Sequence, residues 1–593
     1  MNGRGEISRR ELLLVILGAC ALAVVMHWPL PLNLGAEIPK DLGDPLPQSW
    51  QVAWGGHALA NQPLEFFQAN QFWPVDDSLA FGDALIGYAP TGLLGEGPHD
   101  AVVRYDLLFL FAYALAFLGA YLLARELGIG PAGASVAGAA FAFAPFRLEQ
   151  DGHMQVISSG GIPLCLALFV RGARLREPLW LVAGWLAAGW QLSLGFALGL
   201  PLAYLLAGGL VALLAVWIWR GRPPIDRRLL VAGVGGAVIF VAIAALIARP
   251  YFRVADEHPE AKRPPSTVEA FSGPVSVFLT APDENLVWAD VTEPIRDELE
   301  NVPEKTLFPG AVIVVLALVG LSSARLDRRL RVGLGAGVVA ISVLALGFQE
   351  DDGLIWPYRL LYEALPGWDA IRTPGRLVTF SSLALALLAG AGADWGLRGF
   401  RLWLAGRRWD VGPRGASAAA GSIAALLVAA VVVEGRGLPF DPSDVQEQPA
   451  VPELPGSVAD VTAPQLHLPA ERAEDNRRYL LWSTDGFPEM VNGRASTVPD
   501  LVEDVIAEMD GFPDPPSVAR LRELGVRSVI LHTDRAPGTP QEDAAEAPVA
   551  GLGVARERLP GGLLAYRIRS PRAGSGSTAP EAEAGAATSA GPG

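Results

Sequence analysis

Eleven stretches of this chain come close to the roughly 20 predominantly apolar residues that a helix needs to cross a bilayer. They are 11–31, 102–124, 131–146, 156–171, 178–195, 197–219, 229–248, 307–323, 332–348, 376–396 and 417–434. No other feature restricts the fold as much. Hydrocarbon offers the backbone no water, so each stretch must satisfy its own N–H and C=O groups, as a helix does. Composition agrees: 51% of the residues are hydrophobic and 18% charged, which points to a bilayer as solvent. The basic opening "RGEISRR" runs straight into Glu11–Leu32, which lacks a small-residue cleavage site and reads as a retained first span. Cys20 and Cys165 both lie inside apolar stretches, so no disulfide framework is expected.

The net charge of −16 hides a segregation of signs. With the N-terminus in the cytoplasm, the cytoplasmic segments 1–10, 125–130, 171–177, 220–228, 324–331 and 397–414 together hold 20 Arg. Segment 32–101, on the other side, holds one basic residue, Lys40, against nine acids; segment 249–306 carries twice as many acids as bases. This is the positive-inside pattern, and it sends the C-terminus outward.

Three outward segments are too long to be turns. Segment 32–101 carries Trp50, Trp54, Phe66, Phe67, Phe72 and Trp73, spaced like helices that lie on a membrane surface. Trp50 and Trp54, four residues apart on one helical face, would seat such a helix in the interface. Segment 249–306 is acidic and Pro-rich and reads as irregular. From 435 to 572, strand-like runs "RYLLWST" and "VRSVILHT" join helical stretches at "PDLVEDVIAEMDGF" and "SVARLREL", which predicts a small α/β domain. Residues 573–593 are low in complexity and read as disordered. The expected fold is therefore an all-α polytopic membrane domain over 1–434, with about 11 transmembrane helices, followed by an extracytoplasmic α/β domain.

Candidate chemistry begins at "DLGDPLPQSWQVAWGGHAL", Asp41 to Leu59. Asp44 before Pro45 is a favourable helix start, with Asp as N-cap and Pro in the first turn. A cap uses one carboxylate oxygen, so Asp44 can both cap and face a cavity, with Asp41 beside it as alternative base. Asp76, Asp77 and Asp83 crowd the same segment. Carboxylates partly shielded from water can act as general bases, and clustered acids can hold a divalent cation such as Mg or Mn, although this spacing is not diagnostic of a metal. Arg147, Gln150, His153 and Gln155 share one outward loop, and Arg372 and Arg376 another. Arg at an outer span end can simply snorkel to headgroups, and His153 can be a hydrogen-bonded loop histidine. Positive-inside bias nonetheless disfavours Arg at these ends, and Arg suits phosphate. Glu304, just before "LFPG", is a further candidate for orienting an acceptor or holding a metal.

A first span, an acidic outward segment with "GDP…W…W…HAL" and then "NQFWP" (Asn70–Pro74) resemble bacterial membrane glycosyltransferases of the GT-C superfamily. "FAPFRLEQDGHMQVISS" (Phe143–Ser159), "LFPG" (Leu307–Gly310), "DAIRTPGRLVTFSSLALALLAGAG" (Asp369–Gly392), "VNGRAS" and "LRELGVRSVILH" extend the likeness. In place of an adjacent acidic pair after span one, this chain has "DLGD". The resemblance implies transfer of a sugar from a polyprenyl-phosphate donor to a glycan, lipid or protein acceptor outside a bacterial plasma membrane. In that reading Asp44 or Asp41 is the base, Arg147, His153, Arg372 and Arg376 bind donor phosphate, and Asp76, Asp77, Asp83 and Glu304 serve acceptor or metal.

Two other classes stay open. A transporter or flippase of a lipid-linked substrate needs polar residues in mid-span, where Gln191 and Ser193 are the main examples. A non-catalytic envelope-assembly protein would work through 435–572 alone. No P-loop or cytoplasmic nucleotide-sugar domain is visible, and no nucleic-acid partner is expected.

Overall fold

The computed structural model describes residues 7–348, 356–405, 413–437, 449–456 and 458–569; the tail expected to be disordered, 573–593, lies outside them. The first part is helical: α1 (Arg9–Met26), α2 (Pro45–Asn61), α3 (Gly97–Glu126), α4 (Pro131–Ala142), α5 (Met154–Ile157), α6 (Gly161–Leu175), α7 (Pro178–Leu194), α8 (Phe196–Trp219) and α9 (Arg227–Glu257). It continues through α10 (Pro265–Ala270), α11 (Ala289–Arg296), α12 (Ala311–Ser322), α13 (Arg328–Ala345), α14 (Pro357–Ala364), α15 (Val378–Ala405) and α16 (Pro413–Glu434). Each of the eleven apolar stretches coincides with one of these helices. Six helices among the described residues are long and apolar enough to cross a membrane, so the count of about 11 spans is not established.

Small residues set the tightest packing. α15 runs beside α4 and α12, and a Cβ at Gly133 would strike the Gly390 carbonyl. Close backbone approach of this kind replaces the hydrophobic effect as a source of helix contact in lipid. By contrast α8 and α9 leave most of their Leu, Val and Ile side chains uncovered, as lipid-facing helices do. At 31 residues, α9 spans about 46 Å, well beyond the ~30 Å hydrocarbon layer. Its protruding end holds the 77–82 segment: the Tyr251 hydroxyl donates to the Gly82 carbonyl (3.0 Å) and Arg253 pairs with Asp77 (2.8 Å).

α2 is no surface helix. Twelve of its 17 residues are buried, and Trp50 and Trp54 are inside, not in an interface. They pack with Leu480 and Met490 of the C-terminal part, so the apolar face expected to meet lipid meets protein. Segment 249–306, expected to be irregular, contains α10 and α11.

The C-terminal part has helices α17 (Ala473–Trp482), α18 (Asp500–Ala507) and α19 (Pro515–Glu523), and strands β1 (Gln465–Leu468), β2 (Ser528–His532), β3 (Val554–Arg558) and β4 (Leu563–Ile568). The sheet order is β1-β2-β4-β3, with β1 and β2 parallel and the other pairs antiparallel. "VRSVILHT" supplies β2 as expected, but "RYLLWST" does not form a strand. It ends α17, which Glu474 and Asp475 favour in the first turn. Tyr479, Leu480, Leu481 and Trp482 are all buried, so the run shows no amphipathic period to tell a helix from a strand.

"NQFWP" docks this C-terminal part. Met490 N–H donates to the Asn70 carbonyl (2.9 Å), Trp73 N–H to that of Met490 (3.0 Å) and Phe72 N–H to that of Asn492 (3.3 Å).

Candidate active site

Four segments far apart in the chain meet where α2 begins. Asp44 stands at the N-cap position, yet its backbone is helical (φ −63°, ψ −27°) and its side chain makes no capping bond. A capping side chain needs an extended backbone to swing over the first turn. Little is lost here: Pro45 and Pro47 have no N–H, and Gln48 N–H already bonds to the Asp44 carbonyl (3.0 Å). Only the Leu46 N–H would gain from a cap. The expected capping role of Asp44 therefore does not hold. Its carboxylate, 46% exposed, instead lies 3.6 Å from His153 Nε2. Asp41 folds back, accepting the Gly43 N–H at 2.7 Å.

His153 follows a 3-10 turn, Pro145–Gln150, and precedes α5. Gln48 locks it opposite Asp44. The Gln48 amide donates to Gln155 Oε1 (3.0 Å), while its oxygen accepts from Met154 N–H (2.9 Å) and the Tyr105 hydroxyl (3.2 Å). On its far side, His153 Nε2 is 4.0 Å from Glu304. Burial lowers the imidazole's proton affinity and Arg376 lowers it further, against the pull of Glu304 and Asp44. Its buried Nδ1 has no hydrogen-bond partner among the described residues.

Glu304 ends a 3-10 turn, Val302–Glu304, and is clamped by Arg376, whose Nε donates to Oε2 at 3.3 Å and Nη2 to Oε1. Burial raises the carboxyl, but Arg376 outweighs it and holds the group below its ordinary range. Gly375 permits this: a Cβ there would lie 2.7 Å from the Glu304 carbonyl. Arg372 stacks over Phe271 at 5.5 Å and makes no direct ion pair among the described residues. Asp83 accepts the Phe196 N–H at 2.8 Å, serving the start of α8, with burial pushing its carboxyl up.

One member of the site was not expected. Arg494, from "VNGRAS", has its N–H on Gln71 Oε1 (3.2 Å) and its guanidinium within the electrostatic reach of Asp44 and Arg372. It too makes no direct ion pair among the described residues. Burial, then Arg477, lower its proton affinity. Two guanidiniums with no direct ion pair among the described residues thus lie within electrostatic reach of a half-exposed carboxylate.

Other expected residues lie elsewhere. Arg147 is buried under Tyr113 (5.0 Å) and donates to Ser159 Oγ (2.9 Å) and the Ile157 carbonyl (2.8 Å), which fixes α5. Asp77 is tied to Arg253, and Asp76 is exposed and touched by Gln68 at 3.4 Å. Beside the Asp44 cluster sits a second one that the sequence reading passed over. Lys40 binds Glu284 and lies 3.6 Å from Glu149, and the Tyr113 hydroxyl donates to Asp151. Burial pushes both Glu149 and Asp151 up to about 7. "RLEQDGH" contained both acids, and their place between two basic residues was the available signal. Among the described residues no three His, Cys, Asp or Glu side chains are grouped to hold a metal.

No family model and no curated protein matches the chain by sequence. Solved structures do. Arabinofuranosyltransferase AftD from Mycobacteria matches in two particle classes: TM-score 0.52 at 16% identity over 95% of this chain, and 0.50 at 15% over 96%. An oligosaccharyltransferase from Archaeoglobus fulgidus aligns over 91% of this chain and 71% of its own at 14% identity, TM-score 0.41. Over nearly its whole length this chain has the fold seen in AftD. That likeness takes in 42% of the longer AftD chain.

Proposed function

We propose that this chain is a membrane glycosyltransferase that moves a sugar from a polyprenyl-phosphate donor to an extracytoplasmic acceptor, with Asp44 as general base. One observation carries the reading: the Asp44 carboxylate makes no capping bond to its helix and stands 3.6 Å from His153, within electrostatic reach of Arg372 and Arg494. In the step envisaged, Asp44 takes the proton of an acceptor hydroxyl as its oxygen attacks the anomeric carbon. The bond from that carbon to the phosphate oxygen breaks, and the electron pair leaves on the lipid phosphate. Arg372 and Arg494, already in place, stabilise that developing charge. Arg376 is occupied by Glu304 and acts as a positioning residue. Glu304 in turn orients His153, which holds Asp44 without competing for its proton.

The site side then faces away from the cytoplasm, as the Arg-rich opposite ends suggest. The chain divides near 435 into a membrane domain and an extracytoplasmic domain. Gln191, the main mid-span polar residue, is spent on the Ser158 carbonyl (2.9 Å), which gives a transporter reading little to work with. The test is Asp44→Asn in cells lacking the native copy. Loss of one surface glycan with normal membrane insertion is the expected result. Full retention of that glycan would sink the proposal.

A further inference from the structure

A cavity of about 360 Å³ lies between the far end of α2, the 62–76 segment and the start of the Phe487–Glu489 turn. One wall is aromatic. Trp54 and His57 stand 5.2 Å apart, His57 and Phe487 4.5 Å, and Trp54 and Phe487 5.6 Å between ring centroids. Trp73 also lines the cavity and is anchored by its indole N–H on the Leu524 carbonyl (2.9 Å). Phe487 holds a left-handed backbone (φ 49°), a conformation bulky residues avoid and that gathers at binding sites.

The rest of the lining is polar. Gln62 and Gln68 brace this wall, the first donating to the Glu65 and Gln68 carbonyls (3.3 and 3.0 Å) and the second to Asp76 (3.4 Å), while Glu65, Asp76 and Glu489 supply carboxylates. Among the described residues no Lys or Arg lines it. Phosphate, nucleotide or an anionic headgroup would meet uncompensated repulsion there. An acyl chain would lie against the carboxylates of Glu65 and Glu489 and strip them of water. A neutral, hydroxyl-rich ligand fits both walls: its O–H groups donate to carboxylates in charge-assisted bonds, and its C–H faces lie against aromatic rings.

We propose that this cavity binds a neutral oligosaccharide, holding the distal part of a glycan acceptor whose reacting end lies at Asp44. His57 is 13 residues along α2 from Asp44, roughly 20 Å, so the two places cannot share one sugar ring. The acceptor role rests on the transferase reading; the binding does not.

The experiment uses the full chain in detergent on an array of neutral arabino-, manno-, galacto- and gluco-tetrasaccharides, with sulfated tetrasaccharides beside them. Retention of at least one neutral series is expected, weakened about tenfold by Glu489→Ala or Glu65→Ala. Both glutamates are exposed, so these variants should fold. Retention of no neutral series, a preference for sulfated sugars, or binding indifferent to both glutamates would overturn the proposal. The array reads binding with no transfer step, so failure of one reading leaves the other standing.

Discussion

The two ends of the helical bundle treat charge in opposite ways. At the Arg-rich end three shielded acids among the described residues are each matched. Glu126 takes Arg171 and Arg174, both at 2.7 Å; Asp394 takes Arg325 at 3.0 Å and Arg398 at 3.1 Å; Glu11 takes Arg125 at 2.7 Å. At the other end Arg372 and Arg494 make no direct ion pair among the described residues, and Asp44 is half exposed beside a neutral imidazole. Closed networks hold helices together. Open ones leave charge for something that arrives.

The sharpest way to break this comparison is Asp44→Asn. Its carboxylate makes no cap, so thermal stability should not move, while transfer should fall about 10²–10⁴-fold. A drop in melting temperature with transfer intact would place Asp44 among the closed networks. Glu126→Gln should do the reverse. Two guanidiniums lose their acid, but they are 29% and 31% exposed and keep some water. About 2–3 kcal/mol of stability should therefore go, below the ~3–5 of a fully buried pair, with the folded fraction still active. Thermal unfolding in detergent reads both variants.

Arg372→Ala and Arg494→Ala come next. Each should cost about 10–100-fold in kcat/KM for the donor, the worth of a charged hydrogen bond, without loss of stability. Arg→Lys should restore only part, because a point charge cannot make two parallel bonds. Equal rescue by Lys would argue for bulk charge rather than a shaped phosphate site.

The smallest effect concerns a closed network built without charge. His467 Nδ1 and His532 Nε2 are 3.0 Å apart and buried in the sheet. Burial lowers His467 to about 3, and burial, then His467, lower His532 well below its ordinary range. A folded value below the unfolded one means stability is full above about 6.5 and drains as pH falls. Each histidine should contribute a loss of about 1 kcal/mol at pH 6. A pH series of unfolding, compared with His467→Gln, checks this; a flat profile between pH 7.5 and 5.5 contradicts it.

Much of this was legible in the sequence because lipid is a strict solvent. Each apolar stretch had to be helical, and each proved so. Asp44, His153, Glu304, Arg372 and Arg376 were recognisable singly, as polar residues at span ends, and the structure brings them together. Their convergence was not legible, since nothing local in "VNGRAS" ties Arg494 to Asp44. Trp50 and Trp54 show the same limit. Spacing of four residues fixes a face of α2, but whether lipid or protein covers that face depends on Leu480 and Met490, over 400 residues away. The Asp44 cap failed for a nearer reason: two prolines had already removed the donors a cap would serve.

The strands of contact between residues 70–73 and 490–492 set a clock as well as a shape. Asp44 leaves the ribosome 450 residues before Arg494, which at 5–20 residues per second is about 20–90 s. Until the C-terminal part arrives and lies down on "NQFWP", a membrane-inserted chain carries Asp44 and Arg372 without Arg494. On the proposed reading, synthesis order withholds one phosphate-binding guanidinium until the chain is nearly finished.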